Sequence, residues 1–432
     1  MKTELRSHNI FVVGLSGTNR KSLLYAPLAD VAVLVDEDDI NPTNLQELIA
    51  EYGGALLPSQ RLGAIHGYRD FVNLSILPNN TCNFNCSYCY SSQERGRGEL
   101  SLAQATAIAD DFIDTRRNPD AHLTFSIFGG GEPMLPWERL TRPLINHIHR
   151  CMGDRPHTIT LITNGSVIPD DFAEICRQLK LDLVVSFDIL PEIQNLQRRH
   201  YDLVAGNIRH LLGEGVNLAI NSVITQANVD RQCEMIEELA TKYKGITYAS
   251  FEPVMEKSGN NDNRFYNRFG IGFERARQLA ASHGITLSST ILRNADVSVE
   301  RYCPGELAVV ANGDISSCPC VSSPLEPNYG DYVYGRVDEN GKISIDSARL
   351  DSIIKRDVDT QLWCRDCWAR FNCGGGCINK TAQRGGTQDA AYCRFVRNFL
   401  KYTLCRRLDE AYAEEGIDIK QEIGDYERFI TE

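Results

Sequence analysis

Short apolar runs alternate with amphipathic stretches between residues 70 and 285. The runs are rich in β-branched or aromatic residues and occupy 71–77, 123–128, 158–163, 181–187, 216–224 and 246–252. Apolar positions at helical spacing lie between them, at 101–116, 169–179, 201–213 and 229–243. This alternation predicts βαβ units and a parallel sheet. About six units in this length favour a partial (β/α)6 barrel over a complete eight-stranded one.

The first 70 residues have a different pattern. Strand-like runs at 10–13 and 31–35 and a helical stretch at 42–52 predict a small α/β element. This element is either a cap of the domain that follows or an appendage that recognises a substrate.

The character of the chain changes again after residue 300. Cysteines, glycines and short segments dominate, and a helix over 395–412 and an acidic tail follow. We therefore predict four units, together with an exposed polar loop at 257–263. The units are 1–70, 71–290, 300–395 and 396–432.

Composition limits the classes of partner. The 432 residues are 42% hydrophobic and 24% charged, as in a soluble globular protein. A net charge of −12 argues against nucleic acid or anionic membrane as a partner, because phosphate groups attract a basic surface. A basic or neutral peptide or a small molecule is easier to accommodate. The start has no apolar h-region and no run is long enough to cross a membrane, so we predict a cytoplasmic protein.

Fifteen cysteines are a high and odd count. The absence of a signal segment favours a reducing compartment over a disulfide framework. Eleven of the cysteines fall into three groups, at 82–89, 303–320 and 364–393. The other four are predicted to be core or surface thiols, because free cysteine behaves as a small hydrophobe. They are Cys151, Cys176, Cys233 and Cys405.

The first group has the spacing C-x3-C-x2-C, formed by Cys82, Cys86 and Cys89. Three thiolates on a four-iron cubane cluster leave one iron without a protein ligand, open to a substrate or cofactor. A structural zinc site would need a fourth ligand at paired spacing, and the closest histidines, His66 and His122, are far away in sequence. Chance clustering of core cysteines is the other alternative.

Candidate ligand-binding residues follow the later strands at the predicted carboxyl edge of the sheet, where parallel α/β proteins place their chemistry. Gly129, Gly130, Gly131 and Glu132 form a turn after the second strand, where consecutive glycines let the backbone approach a ligand. Later strands end near a second set of polar residues, and each of these alone is compatible with an ordinary strand-end turn. They are Asn164, Ser186, Asp188, Arg198 and Asn221.

Taken together, the cysteine loop with Tyr88 and the glycine turn resemble the signature of the radical SAM enzymes. The resemblance implies a [4Fe–4S] cluster on Cys82, Cys86 and Cys89 whose open iron chelates S-adenosylmethionine (SAM). It also implies that Glu132 holds the methionyl amine. By the same resemblance Asn221 is expected to flank the adenine, and Ile189 stands where peptide-modifying relatives usually have glycine. The SAM contacts implied are Tyr88, Gly130, Gly131, Glu132, Asn164, Ser186, Asp188 and Arg198.

The later cysteines, with Gly313 between Cys303 and Cys318, are similar to the SPASM domain, a C-terminal extension of many radical SAM enzymes with two auxiliary [4Fe–4S] clusters. The alternative by spacing is a zinc ribbon or zinc knuckle on Cys364, Cys367, Cys373 and Cys377. The resemblance implies one cluster on Cys303, Cys318 and Cys377 and another on Cys364, Cys367, Cys373 and Cys393. The first set is one ligand short, and either Cys320 completes it or an iron stays open.

The resemblance therefore implies an α/β fold, a partial (β/α)6 radical SAM barrel with a C-terminal SPASM domain, and three [4Fe–4S] clusters with SAM as cofactors. It implies an oxidative maturase that cross-links a precursor peptide, by a C–C cyclophane or a thioether. The partners implied are a precursor peptide with a leader sequence and an external electron donor of the flavodoxin or ferredoxin type.

Three alternatives stay open for the activity. One is a sulfatase-maturating (formylglycine-forming) enzyme, and another is a small-molecule dehydrogenase. The third is an iron–sulfur electron-transfer or scaffold protein without SAM chemistry.

Overall fold

A computed structural model describes most of the chain, and the structural statements that follow concern these residues. They are 2–15, 20–41, 44–53, 65–91, 98–254, 261–299, 301–303, 306–326, 328–383, 386 and 389–432. Most of the predicted polar loop at 257–263 and the start of the predicted helix at 42–52 lie outside them.

The N-terminal region is a three-stranded antiparallel sheet with a helix at each end. The strands pair in the order β1-β2-β3. The prediction anticipated β1, β3 and α2 but missed α1 and β2. The elements are α1 (Lys2–Ser7), β1 (Phe11–Gly14), β2 (Lys21–Ala26), β3 (Val31–Asp36) and α2 (Leu45–Tyr52).

This sheet packs on the cysteine-rich part of the chain. The Tyr25 hydroxyl of β2 donates a hydrogen bond of 2.7 Å to Asn372 Oδ1. The Tyr25 ring meets Trp368 edge-on at 6.0 Å, and Leu28 joins Val358 and Phe371 in a small buried cluster. The N-terminal element, predicted to be either a cap of the next domain or a recognition appendage, thus contacts residues more than 300 positions away.

The centre of the molecule is a parallel sheet containing all six predicted strands. The six lie side by side in chain order, as βαβ units require, and this confirms the predicted (β/α)6 core. They are β4 (Asn73–Ile76), β5 (Leu123–Ile127), β6 (His157–Thr163), β7 (Asp182–Ser186), β8 (Leu218–Ile224) and β9 (Tyr248–Pro253). Two short strands extend the parallel pairing, β10 (Thr286–Ser288) beside β9 and β11 (Leu307–Val309) beside β4.

Helices cover the sheet between these strands. Four of them match the predicted stretches, whereas α4, α6 and α9 were not predicted. A π-helical turn, Trp137–Thr141, leads into α4. The helices are α3 (Leu102–Asp114), α4 (Arg142–Met152), α5 (Phe172–Gln178), α6 (Pro191–Gln197), α7 (Tyr201–Gly213), α8 (Gln232–Lys242) and α9 (Asn263–Ser282).

The cysteine-rich region continues the same sheet. Strands β12 (Asp314–Ser316), β13 (Val333–Val337) and β14 (Ile343–Ile345) add antiparallel to β11, so the sheet has eleven strands with β10 and β14 at its edges. Short helices surround them: α10 (Thr290–Asn294), α11 (Tyr329–Tyr332), α12 (Ser347–Ile354), α13 (Arg370–Cys373) and α14 (Ile378–Gln383).

The last elements are α15 (Ala390–Glu414), α16 (Lys420–Ile423) and a 3-10 helix, Tyr426–Thr431. Because α15 begins at Ala390, Cys393 lies in its first turn. The predicted acidic tail packs back on the molecule, with Phe429 and Ile430 buried. No described helix combines the length and the apolar character needed to cross a lipid bilayer.

Candidate functional site

The three-cysteine loop follows β4 and lines a cavity of about 380 Å3 at the carboxyl edge of the sheet. The thiols of Cys82, Cys86 and Cys89 all contribute to its wall. Burial raises the pKa of Cys86; Arg198 opposes this rise, and the neighbouring Cys89 and Cys82 thiols add to it. The loop is tied to the end of α6, where the Ser87 N–H donates to the Gln197 carbonyl at 2.9 Å. The predicted three-thiol set is therefore assembled in one place.

The glycine turn after β5 is the surface on which the cysteine loop rests. Gly129 and Gly130 have φ of +69° and +62°, which side chains disfavour. A Cβ on Gly131 would overlap the Thr81 carbonyl oxygen and Asn79 Oδ1. Backbone hydrogen bonds from Gly131 to Asn79 at 2.6 Å and from Glu132 to Thr81 at 2.7 Å join the two segments. The glycines thus permit a close approach between the turn and the start of the loop.

Glu132 is buried at the cavity wall and already accepts three protein hydrogen bonds. They come from Thr163 Oγ1 at 2.6 Å, from the Asn164 N–H at 2.7 Å and from the Met134 N–H at 3.0 Å. Burial raises the pKa of Glu132, and these hydrogen bonds oppose the rise. The Asn164 amide in turn donates to Asn83 Oδ1 at 2.9 Å. Glu132 and Asn164, both predicted SAM contacts, therefore also hold the segments after strands β5 and β6 against the cysteine loop.

Tyr88 links two of the predicted site residues. Its hydroxyl donates to Asp188 Oδ2 at 2.9 Å and accepts from Arg198 Nη1 at 2.9 Å. Arg198 lines the cavity, whereas Asp188 is fully buried behind it. Burial raises the pKa of Asp188. Gln197, which the sequence analysis did not select, also donates to Asp188 Oδ2, at 2.9 Å.

Unpaired polar atoms show that the cavity fits a polar ligand. Asn221 Oδ1 and Arg198 Nε are buried without a hydrogen-bond partner among the described residues, and both side chains line the cavity. Buried polar atoms are nearly always paired, so such orphans need an explanation. Three facing thiols and these atoms fit a cluster with a polar cofactor beside it. Ser186, Gly130 and Gly131 complete the predicted wall.

The later cysteines separate into the two sets that the resemblance implied. Burial raises the pKa of Cys303, and the Cys377 and Cys318 thiols add to it; the Cys320 thiol is within hydrogen-bonding reach of Cys318. Burial likewise raises the pKa of Cys373, helped by Cys393, Cys367 and Cys364. The structure thus places Cys320 beside the set that lacks a ligand.

A triglycine turn, Gly374–Gly376, brings these sets close together. The Tyr302 N–H donates to the Gly374 carbonyl at 2.7 Å. A Cβ on Gly374, whose φ is +63°, would overlap the backbone at Arg301 and Tyr302. Cys303 therefore lies next to the 373–377 turn because the glycines allow it.

Tyr90 follows Cys89 in sequence and lies near the Cys318 and Cys320 thiols. Burial raises its pKa well above the usual value, and the Cys320, Cys89 and Cys318 thiols add to the effect. Cys320 itself lines the same cavity as Cys82. The sequence analysis missed Tyr90, although an aromatic residue next to Cys89 was a signal.

A second cavity, of about 400 Å3, adjoins the first and shares Asn221, Glu252 and Pro253 with it. Glu252 was also missed, although it ends the sixth predicted strand, where catalytic or binding residues are expected. Burial raises the pKa of Glu252, against hydrogen bonds from Thr290. Lys380 lies in the wall of this cavity, and burial lowers its pKa.

One further group of potential metal ligands lies outside these cavities. Cys151, predicted to be an isolated thiol, lies with Asp110 and His147 between α3 and α4, and their ligand atoms are all within 4.8 Å of one another. His147 Nε2 is 2.6 Å from Asp110 Oδ1 and 3.5 Å from Cys151 Sγ. His147 lies four residues before Cys151 on the same face of α4, and this spacing was the overlooked signal that the two side chains are neighbours.

Comparison with known proteins identifies the class of this site. Residues 76–240 match the radical SAM superfamily, so the segment with the first cysteine loop is a radical SAM domain. Radical SAM cyclopropyl synthase TigE of Paramaledivibacter caminithermalis is 23% identical over 353 residues, 76% of this chain and 72% of the relative. A cysteine-type anaerobic sulfatase-maturating enzyme of Clostridium perfringens strain 13 is 22% identical over 365 residues, 76% of this chain and 95% of the relative.

Solved structures show the same fold. anSMEcpe with bound AdoMet superposes with a TM-score of 0.62 at 18% identity, covering 79% of this chain and 99% of that chain. Streptococcus suis SuiB bound to precursor peptide SuiA gives a TM-score of 0.53 at 17% identity, covering 72% and 73%. The predicted fold class, a radical SAM barrel with a C-terminal SPASM-type domain, is confirmed. A radical SAM domain implies one [4Fe–4S] cluster and SAM as cofactors.

Proposed function

We propose that this chain is an oxidative radical SAM maturase that cross-links a precursor peptide, forming a C–C cyclophane or a thioether. The observation that carries the proposal is the joining of two cavities. One holds the three thiols and all of the predicted SAM contacts except Asp188. The other adjoins it and is lined by Tyr302, next to Cys303 in sequence, and by Lys380, on which the Cys377 thiol acts electrostatically. Two comparisons support it: a cyclopropyl synthase is similar to this chain in sequence, and a protein whose solved structure has the same fold binds a precursor peptide.

In this proposal Cys82, Cys86 and Cys89 hold the SAM-binding cluster. When bound, the cluster supplies the electron that cleaves the SAM sulfonium and yields a 5′-deoxyadenosyl radical. Arg198 brings a buried positive charge to the cavity wall. That charge is stabilised because the Tyr88 hydroxyl, anchored on Asp188, accepts a hydrogen bond from it.

The second cavity is the proposed place of the substrate residue. Its volume is within the range of small-ligand sites. Aromatic side chains of Tyr302, Tyr392 and Phe395 line it and exclude water from the reacting carbon.

The later cysteines are the proposed ligands of two auxiliary clusters, one on Cys303, Cys318, Cys320 and Cys377 and one on Cys364, Cys367, Cys373 and Cys393. Thiolates are the usual protein ligands of such clusters. Including the SAM-binding cluster, the chain would bind three [4Fe–4S] clusters, and a flavodoxin- or ferredoxin-type donor would supply electrons. We place the enzyme in the cytoplasm.

The direct test replaces the first three cysteines together by alanine (C82A/C86A/C89A). Anaerobically reconstituted wild-type protein with dithionite is expected to convert SAM to 5′-deoxyadenosine, whereas the triple variant should form none and still bind iron at the later cysteines. Liquid chromatography measures the nucleoside and a colorimetric assay measures iron. C151A, which changes a thiol outside the cavities, is the matched control and should behave as wild type.

Retention of SAM cleavage by the triple variant would contradict the cluster assignment. Absence of cleavage in the reconstituted wild type would instead favour an electron-transfer or scaffold protein.

A second candidate activity is sulfatase maturation, favoured by the relative that is matched over 95% of its length. Cross-linking of a peptide and oxidation of a cysteine or serine to formylglycine can be separated by tandem mass spectrometry. A ring suppresses fragment ions between the joined residues, whereas formylglycine leaves the fragment series intact and reacts with hydrazides. Conversion of a small alcohol alone would favour the dehydrogenase alternative.

A further inference from the structure

The second cavity has an excess of positive charge in a chain whose net charge is −12. Two cationic side chains, Lys380 and Arg293, and one carboxylate, Glu252, line its wall, and the other lining side chains are uncharged. Low-dielectric walls strengthen the field of such an excess charge. The cavity therefore favours an anionic ligand although the protein as a whole is acidic.

The Glu252 carboxylate already accepts several hydrogen bonds from the protein. Oε1 accepts from the Thr290 N–H at 2.7 Å, from Thr290 Oγ1 at 3.0 Å and from Ser250 Oγ at 3.2 Å. Arg293 Nη2 is 3.6 Å from the same oxygen. The single carboxylate of the cavity is thus engaged by Thr290 and Arg293. It forms no ion pair with Lys380 and raises the pKa of that lysine only from a distance.

Lys380 forms no ion pair with a carboxylate of the described residues. Burial lowers its pKa, and the Cys377 thiol, Asp389 and Glu252 oppose this effect from a distance. Among the residues that the structure describes, no carboxylate oxygen lies within 4.0 Å of its ammonium group, and the centre of the Tyr392 ring lies 5.2 Å from it. Holding an unpaired charge away from bulk water is costly. A ligand carboxylate beside Lys380 would remove that cost.

We propose that this cavity binds a carboxylate of the substrate, with Lys380 as its ion-pair partner, so that the segment entering it carries an aspartate or glutamate side chain. This inference rests on the proposed function, because it assigns the substrate class of the same enzyme. The carboxylate of SAM is not the proposed ion-pair partner of Lys380, because Lys380 lines the second cavity and not the one with the three thiols. The Tyr302, Tyr392 and Phe395 rings would pack against the rest of the substrate residue.

A different role for Lys380 is to balance the charge of the neighbouring Cys377 and Cys320 thiolates, to which it is electrostatically linked. The two roles predict different results, because charge balance acts on the cluster potential and not on carboxylate binding.

The test measures binding of small carboxylates to reconstituted holoenzyme with SAM, by saturation-transfer difference NMR. The probes are N-acetyl-aspartate amide, with a side-chain carboxylate, N-acetyl-alanine, with an α-carboxylate, and N-acetyl-asparagine amide, with neither. The first is expected to bind roughly ten-fold or more tightly than the last, since one charged hydrogen bond is worth about that factor. N-acetyl-alanine binding as tightly would assign the site to a chain terminus and overturn the side-chain assignment.

Three variants separate the outcomes. K380M should abolish the preference for the aspartate probe, K380R should keep most of it, and K355M, at an exposed lysine of the same region, should be unchanged. Equal binding of the aspartate and asparagine probes to wild type, or an intact preference in K380M, would overturn the proposal. A K380M protein with a shifted cluster midpoint potential and an unchanged preference would assign Lys380 to the cluster.

Measuring 5′-deoxyadenosine formation in the same samples distinguishes a failure of this inference from a failure of the proposed function. SAM cleavage without carboxylate preference contradicts this inference alone. Absence of SAM cleavage contradicts the proposed function, whatever the binding result.

Discussion

Ile189 stands where the resemblance implies a glycine, and its backbone has the positive φ that a glycine would tolerate. Its φ is +66°, a conformation that is unfavourable for a β-branched residue by about 1–2 kcal/mol. Its side chain is completely buried, which contributes about 1.5–3 kcal/mol. Burial therefore offsets the strain, and Asp188 still reaches Tyr88.

The four scattered cysteines differ enough in environment to be told apart chemically. Burial raises the pKa of Cys176 and of Cys405 to about 12, so that about one molecule in ten thousand carries the thiolate at pH 8. Cys151 is exposed. We expect iodoacetamide at pH 8 to modify Cys151 in the native holoenzyme long before Cys176 or Cys405, as read by peptide mass mapping.

Urea-unfolded protein is the control, in which all four thiols should react at similar rates. Comparable rates for Cys176 and Cys151 in the native protein would contradict the described burial.

The residues that the sequence could identify are those whose chemistry is local. Cys82, Cys86 and Cys89 lie within eight positions, and the glycine turn ends in Glu132. Glu252 and Lys380 are 128 positions apart and line the same cavity only because the folded chain brings the end of β9 near α14. No local sequence pattern shows that they share a cavity, so the second cavity could not be predicted.

At the level of elements, prediction succeeded where a pattern was long enough to repeat. The six strands of the parallel core were all identified, whereas β10 and β11, of three residues each, are too short to show a period and exist through pairing with β9 and β4. Helix α4 was missed although Leu144, Ile145 and Ile148 form a buried face. Its Pro143 lies in the first turn, where the lost N–H costs nothing.

The contact between the glycine turn and the cysteine loop is testable with one added methyl group. G131A would place a Cβ against Thr81 and Asn79, so we expect the loop to shift and SAM cleavage to be lost. Iron per chain should fall to about two-thirds if one of three clusters is lost. Iron analysis and 5′-deoxyadenosine yield measure the effect.

G206A is the matched control, because a Cβ on this glycine of α7 meets nothing within 4 Å. Normal iron content and SAM cleavage in G131A would show that the turn does not position the loop.

For the whole molecule, the C-terminal residues act as part of the core. Phe429 is fully buried, with the Lys401 ammonium 4.1 Å above its ring, and Lys401 Nζ pairs with Glu432 Oε2 at 2.7 Å. Charge composition predicted an acidic tail but could not show that its few aromatic and aliphatic residues pack on α15.

We therefore expect F429A to lower the free energy of unfolding by about 3–5 kcal/mol, the usual loss for a buried phenylalanine. Urea titration followed by circular dichroism of the holoenzyme measures it. E427A, which alters an exposed residue of the same segment, should change it by less than about 0.5 kcal/mol. A loss in F429A no larger than in E427A would mean that the tail is dispensable.

Strand β4 has neighbours on both sides, β5 along one edge and β11 along the other, with Leu74 opposite Leu307. The strand that leads into the first cysteine loop is therefore hydrogen-bonded to the strand that leads toward Cys318. The part of the sheet with β4–β10 and the part with β11–β14 cannot separate without breaking these backbone hydrogen bonds. If the substrate is a peptide, as proposed, it would enter past the loops at the carboxyl edge of the sheet. Loop length and composition there, more than any separation of the two parts of the sheet, would then select the substrate.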